Sequence, residues 1–194
     1  DLVPIPAARI IGASDGHEIL LAGRKLVCLD TPGHARHHIC VVDQRTGGIF
    51  TGDMFGLSYR ELDVSDRQFI FPTTTPTQFE PEATVRSIER LLSFNPPAMY
   101  LTHYSKIDDV PAMAADLMRR LRAHVDIALA ARQEKQERHA RIRSALTDYL
   151  FKELHDHGCC LADAAILDMW ETDLELNAQG LEVWLDGLAP ESQT

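Results

Sequence analysis

Basic side chains are in short supply. The 194 residues carry 19 Lys and Arg against 29 Asp and Glu, a formal net charge of −10 with histidine neutral. A surface that neutralises phosphates needs clustered Lys and Arg, so no nucleic-acid partner is expected. Long apolar runs are also missing: none approaches the roughly 20 residues needed to cross a bilayer. The stretch after Asp1 lacks the charged-then-apolar build of a signal peptide, so the expectation is a cytoplasmic protein with no membrane partner. Cysteine is sparse, with four in all. Cys28, Cys40, Cys159 and Cys160 make no C-x-x-C spacing, which excludes a zinc knuckle or a redox pair and reads as reduced thiols. An initiator methionine is absent too, and Asp1-Leu2-Val3-Pro4-Ile5-Pro6 reads like the interior of a longer protein.

What is present is an ordinary globular composition, 45% hydrophobic and 25% charged, enough to bury a sizeable core in one or two domains. Residues 1–110 are rich in short β-favouring runs: Glu18 to Leu21, Lys25 to Leu29, His38 to Asp43 and Gly48 to Thr51, separated by glycine-containing turns. Gly47-Gly48 suits a hairpin turn, because glycine adopts positive φ without penalty. Pro72 to Pro76 marks a loop, and Pro81 suits a first helical turn. Val85, Ile88, Leu91 and Leu92 give that helix an apolar face, Asn95-Pro96-Pro97 stops it, and Met99-Tyr100-Leu101 reads as a short buried strand.

From residue 111 to 194 helix formers take over. Asp108 and Asp109 are cap candidates ahead of Pro111. Met113, Leu117, Leu121 and Val125, then Ile142, Leu146, Tyr149 and Leu150, recur at helical spacing as core or dimer contacts. Gly158 is a stop signal, and the charge-dense stretch from Arg132 to Arg143 reads as a solvated helix face. Such a helical extension suits homodimerisation.

Three segments carry chemistry. Thr31-Pro32-Gly33-His34 turns sharply after a strand and delivers His34 at its end. Phe50-Thr51-Gly52-Asp53 ends an apolar strand in a carboxylate, and Tyr100-Leu101-Thr102-His103 ends another in an imidazole. Each residue alone has a bland reading, as a surface histidine or a turn aspartate. Two imidazoles and a carboxylate on three strand ends are the donor set of zinc and non-haem iron sites. A carboxylate can also bridge two cations that hold a hydroxide between them.

The ordered set TPGH, then GD about twenty residues on, then TH after an intervening helix, resembles the second half of a metallo-β-lactamase-fold hydrolase. The resemblance covers roughly residues 1–110. It implies an α/β fold, the second half of an αββα sandwich with the metal site at one edge of the paired sheets, followed by the helical extension. It further implies that His34 binds the first metal, that Asp53 bridges both and acts in catalysis, and that His103 binds the second. The cofactors implied are two divalent metal ions, zinc first, with iron or manganese as alternatives.

The family's H-x-H-x-D-H signature, which supplies the other ligands, is missing from this sequence. His155-Asp156-His157 does not replace it, because Cys159-Cys160 stand where Asp-His is needed and the order along the chain is wrong. Those histidines read as helix C-terminal residues, favoured there by the helix dipole. The remaining ligands are therefore expected from an N-terminal half outside this chain, without which the chain should be a poor enzyme. His37 or His38 is a candidate for orienting the site, Tyr104 for reaching a substrate oxyanion, and Arg60 for attracting an anionic substrate.

The family spans many reactions, and the scaffold does not choose among them. The residues after Gly52-Asp53, Met54-Phe55-Gly56-Leu57-Ser58, lack the Gly-Cys-Gly pattern of a glyoxalase-type thioesterase, and the acidic balance opposes a nuclease. The expectation is a hydrolase of a small-molecule ester, thioester or lactone. The competing reading is a catalytically idle interaction module that assembles through its helices.

Overall fold

The computed structural model describes residues 3–75, 78–103, 105–134 and 136–188. Six strands form one sheet in sequence order: β1 (Glu18–Leu21), β2 (Arg24–Asp30), β3 (Ile39–Asp43), β4 (Ile49–Gly52), β5 (Met99–Leu101) and β6 (Lys106–Ile107). Neighbours are antiparallel except β4 and β5, which run parallel. A parallel pair needs a crossover, and α1 (Pro81–Leu92) lies within the connection. Three longer helices follow: α2 (Val110–Ala130), α3 (Arg138–His157) and α4 (Asp163–Gly187).

Local chemistry explains most boundaries. Ala22 and Gly23, both at positive φ, make the two-residue turn between β1 and β2, the geometry that matches strand twist. The β3–β4 connection depends on buried Asp43 as well as on Gly47. The Asp43 carboxylate accepts from Arg24, from the Thr46 hydroxyl and from the Arg45 amide, so it shapes the turn from within. Asp109 caps α2 by accepting from the Ala112 amide. Gly158, at φ 95°, ends α3 in the left-handed conformation, so His155 and His157 are helix-terminal as expected. All four cysteines are free.

The strands' alternation sorts the sheet into two unlike faces. Leu29, Cys40, Val42, Ile49, Met99 and Ile107 are buried on one face under Ile88 and Leu91 of α1 and Met113, Ala114 and Leu117 of α2. The register puts Val41, Phe50 and Tyr100 opposite one another on the other face. Phe50 is 48% exposed there, stacked on Tyr100, and Ile19, Leu21 and Ile39 are exposed on the same face. One sheet with helices on one side and apolar side chains bare on the other is half of a sandwich.

The helices α3 and α4 enclose a second core. Ile142, Leu146 and Leu150 of α3 and Ile166, Trp170 and Leu174 of α4 pack with Leu121 of α2 and with Leu57, Leu62, Phe69 and Phe71 from the loop after β4. The stripes expected as core or dimer contacts are thus spent inside the chain. One expectation needs correction: Arg132 to Arg143 is not one solvated helix face. It spans the α2–α3 turn and the first turns of α3, and Arg138 is buried there, bonded to Glu182 and Asp186. Charge density on a helix reads as exposure only when no opposite charge faces it, and α4 supplies that charge. The two-residue strand β6 is too short to leave a periodic signal. No helix among the described residues is long and apolar enough to cross a membrane.

Candidate metal centre

The sheet explains why the three motif residues meet. β2 and β4 are each antiparallel to β3, and β5 is parallel to β4, so β2, β4 and β5 all run the same way. Their C-terminal ends therefore line one edge of the sheet. His34 follows the end of β2, Asp53 the end of β4 and His103 the end of β5. His34 Nε2 lies 3.8 Å from Asp53 Oδ2, and His103 Nε2 lies 2.8 Å from Asp53 Oδ1. Each carboxylate oxygen thus faces one imidazole. His34 is the most enclosed of the three, with 19% of its side chain exposed, against 27% for Asp53 and 48% for His103.

The TPGH turn is locked onto α1. The Gly33 carbonyl accepts from the Glu80 amide at 2.7 Å, and the Pro32 carbonyl accepts from Ser87 Oγ at 2.7 Å. A Cβ on Gly33 would come within 2.5 Å of the Thr84 backbone, so glycine is required by close approach. The loop after β4 holds the other side of the imidazole: Thr75 Oγ1 sits 3.4 Å from His34 Nδ1, and the Thr73 backbone also hydrogen-bonds the ring. Burial, reinforced by the neighbouring His103, pushes the His34 pKa below its usual value despite the opposing pull of Asp53. The ring is therefore neutral, the form that coordinates metals.

Of the two adjacent histidines, His38 contacts the Asp53 backbone, and His37 is exposed. A continuous set of donors and acceptors runs from the site into the sheet. The Asp53 amide donates to His38 Nε2 at 3.2 Å, which leaves His38 Nδ1 to donate to Thr31 Oγ1 at 3.0 Å. The Thr31 hydroxyl donates to Cys40 Sγ at 3.2 Å, and the Cys40 thiol to the Thr51 carbonyl at 3.4 Å. Burial lowers the His38 pKa, and it raises that of Cys40 to about 12, so both are neutral and the pattern is consistent throughout. His38 thereby fixes the backbone that presents Asp53. Its place at the start of β3, between the ends of β2 and β4, is what the sequence motif alone does not reveal.

Arg60 does not serve as a free cation. It is bonded to Asp63 at 3.1 Å, to the Ser58 hydroxyl and carbonyl, and to the Lys106 carbonyl, so it ties the loop after β4 to β6. Tyr104 lies outside the described residues. Tyr59 and Asp173 belong to no sequence motif. The Tyr59 hydroxyl donates to Asp173 Oδ2 at 2.5 Å, and Asp173 feels the charge of His103, which brings α4 to the site. Their 114-residue separation leaves no signal in the sequence.

Among the described residues, no three His, Cys, Asp or Glu side chains form a group that could hold a metal ion. The two imidazoles face different oxygens of the Asp53 carboxylate, so the three side chains do not close around one point. One carboxylate shared by two imidazoles offers each of two ions only two protein donors, whereas zinc sites use three or four. The donor chemistry fits two partial shells and no complete one.

No family model matches the chain, and no curated protein matches it. Solved structures do. A β-lactamase domain protein from Burkholderia ambifaria is 17% identical with a TM-score of 0.55, covering 95% of this chain and 49% of its own. An archaeal metallo-β-lactamase superfamily protein from Sulfolobus tokodaii is 22% identical with a TM-score of 0.50, covering 64% of this chain and 43% of its own. The chain shares their fold, and it spans less than half the length of each.

Proposed function

We propose, from the partial metallo-β-lactamase fold and the convergence of three strand ends, that this chain provides one half of the dinuclear metal centre of a hydrolase. Its substrate would be a small ester, thioester or lactone. The observation that carries the reading is the Asp53 carboxylate with one oxygen toward His34 Nε2 and the other toward His103 Nε2. In this reading His34 would hold one ion and His103 the second, with the Asp53 carboxylate serving both, while His38 keeps the Asp53 backbone in place. Bound divalent ions, zinc first and iron or manganese as alternatives, would supply a hydroxide at neutral pH and polarise the substrate carbonyl.

The missing ligands are assigned to a further segment seated on the bare sheet face. Phe50, Ile39, Ile19 and Leu21 give that face apolar side chains to bury, and the shared fold in the solved structures is more than twice as long as the part matched here. The test is hydrolysis of an ester, thioester and lactone panel by the complete protein, before and after chelation and zinc restoration. Turnover lost on chelation and regained with zinc supports the reading. Chelator-insensitive turnover, or none in a protein that holds no metal, overturns it.

The same exposed face also supports a second reading, an interaction module without catalysis. A homodimer through the helical segment would have to use outer residues such as Leu129, Leu167 and Val183, because the buried stripes are already occupied. Stable folding with less than one metal equivalent would favour this alternative.

A further inference from the structure

The helix α4 is remote in sequence from every motif residue, yet one of its side chains reaches the loop that holds His34. Asn177 is 1% exposed. Its Oδ1 accepts from the Thr74 amide at 2.6 Å, and its Nδ2 donates to the Pro72 carbonyl at 3.1 Å. The Thr74 hydroxyl completes the clamp by donating to the Asn177 carbonyl at 3.0 Å. One turn later, Gly180 brings the helix backbone onto the same loop: a Cβ there would lie 1.5 Å from the Thr74 carbonyl oxygen. Glycine weakens a helix interior relative to alanine, and this close approach explains its presence.

The loop so clamped carries the groups that face the His34 ring. Thr75 Oγ1 stands 3.4 Å from Nδ1, and the Thr73 backbone bonds the same imidazole. A proton on Nδ1 would be shared with that loop and would leave the Nε2 lone pair on the side of Asp53, 3.8 Å from its Oδ2. A metal-binding histidine is oriented in this way by an acceptor on its other nitrogen.

We propose that Asn177 is a positioning residue for His34, setting the tautomer and direction of the imidazole through residues 72–75, so that α4 belongs to the site's supporting structure. The metal arm of this proposal rests on the reading of His34 as a ligand; the tautomer arm does not. Asn177→Ala frees the loop from α4. Leu146→Ala, at a buried α3 position of the helical core, serves as the destabilising control, and Asn177→Ser, with a smaller cavity, is used if the alanine variant fails to fold.

The first measurement is a long-range 1H–15N correlation spectrum of the histidine rings in the full chain without added metal, at one fixed pH. The expected result is a His34 signal of the Nδ1–H tautomer in the parent and in Leu146→Ala, and a shifted or two-tautomer signal in the folded Asn177 variant, with His124 unchanged. An unchanged His34 signal in the folded Asn177 variant overturns the proposal, as does an equal change in Leu146→Ala. The second measurement is Zn(II) titration of the complete protein, where the Asn177 variant should bind about 10- to 100-fold more weakly, the usual effect of losing an outer support of a ligand. A changed tautomer with no zinc binding in the parent would sustain the positioning role and sink the metal reading. Where the parent does bind zinc, an equal affinity in the folded Asn177 variant would overturn the positioning role.

Discussion

Gly52→Ala strikes the point where backbone geometry and the candidate site meet. Gly52 ends β4 at φ 53°, beside an irregularity in its pairing with β5. A Cβ there would stand 2.5 Å from His38 Nε2 and 3.0 Å from its Cε1. The ring cannot simply swing aside, because it is held between the Asp53 amide at 3.2 Å and Thr31 Oγ1 at 3.0 Å. Left-handed backbone costs an alanine about 1–2 kcal/mol, and each lost hydrogen bond adds about 1 kcal/mol. The combined expectation is roughly 3 kcal/mol. For a chain of this size that corresponds to a Tm lower by about 6–12 °C. Urea unfolding followed by far-UV circular dichroism measures it, provided the slope is unchanged between parent and variant. A loss below about 0.5 kcal/mol, the range of an inert surface change, would refute the packing argument for His38.

Two further predictions concern the helical core. His124 is fully buried, its Nε2 has no hydrogen-bond partner among the described residues, and burial lowers its pKa to about 4. Because its folded pKa lies below the unfolded value of about 6.5, the unfolded state takes up the proton first, and stability falls as pH drops from about 6.5 towards 4. His124→Leu should flatten that part of the stability-against-pH curve, and an unaltered slope would contradict the burial. Trp170 is buried against Phe71 at 5.2 Å and Phe151 at 5.7 Å, and its indole N–H has no partner among the described residues. Trp170→Ala should cost about 3–5 kcal/mol in denaturant unfolding, and Trp170→Phe clearly less, since a ring still fills most of the space; equal costs would contradict the packing account.

The strands and helix starts were legible because their causes are local. Pro81 and Asp109 mark helix beginnings, Gly158 marks an end, and apolar alternation marks β3 and β4. The meeting of His34, Asp53 and His103 was legible for a related reason: each lies within four residues of a strand end, and same-direction strands end on one edge. What escaped is what depends on distant partners. Arg138 reads as a solvated charge until α4 brings Glu182 and Asp186 beside it. Arg60 reads as an available cation until Ser58, Asp63 and the Lys106 carbonyl occupy it. Asn177 and Asp173 join the neighbourhood of the site from more than 100 residues away, and no spacing rule reaches that far.

The central claim, that His34, Asp53 and His103 belong to a metal centre, is tested most directly by metal content. The complete protein, purified without chelator, and its Asp53→Asn variant are compared by elemental analysis, with circular dichroism confirming that both are folded. The account predicts at least about one equivalent of zinc, iron or manganese in the parent and a marked loss in the variant, which keeps the shape of the side chain but loses its charge. A parent with less than that, or a variant that retains the parent's metal, would contradict it.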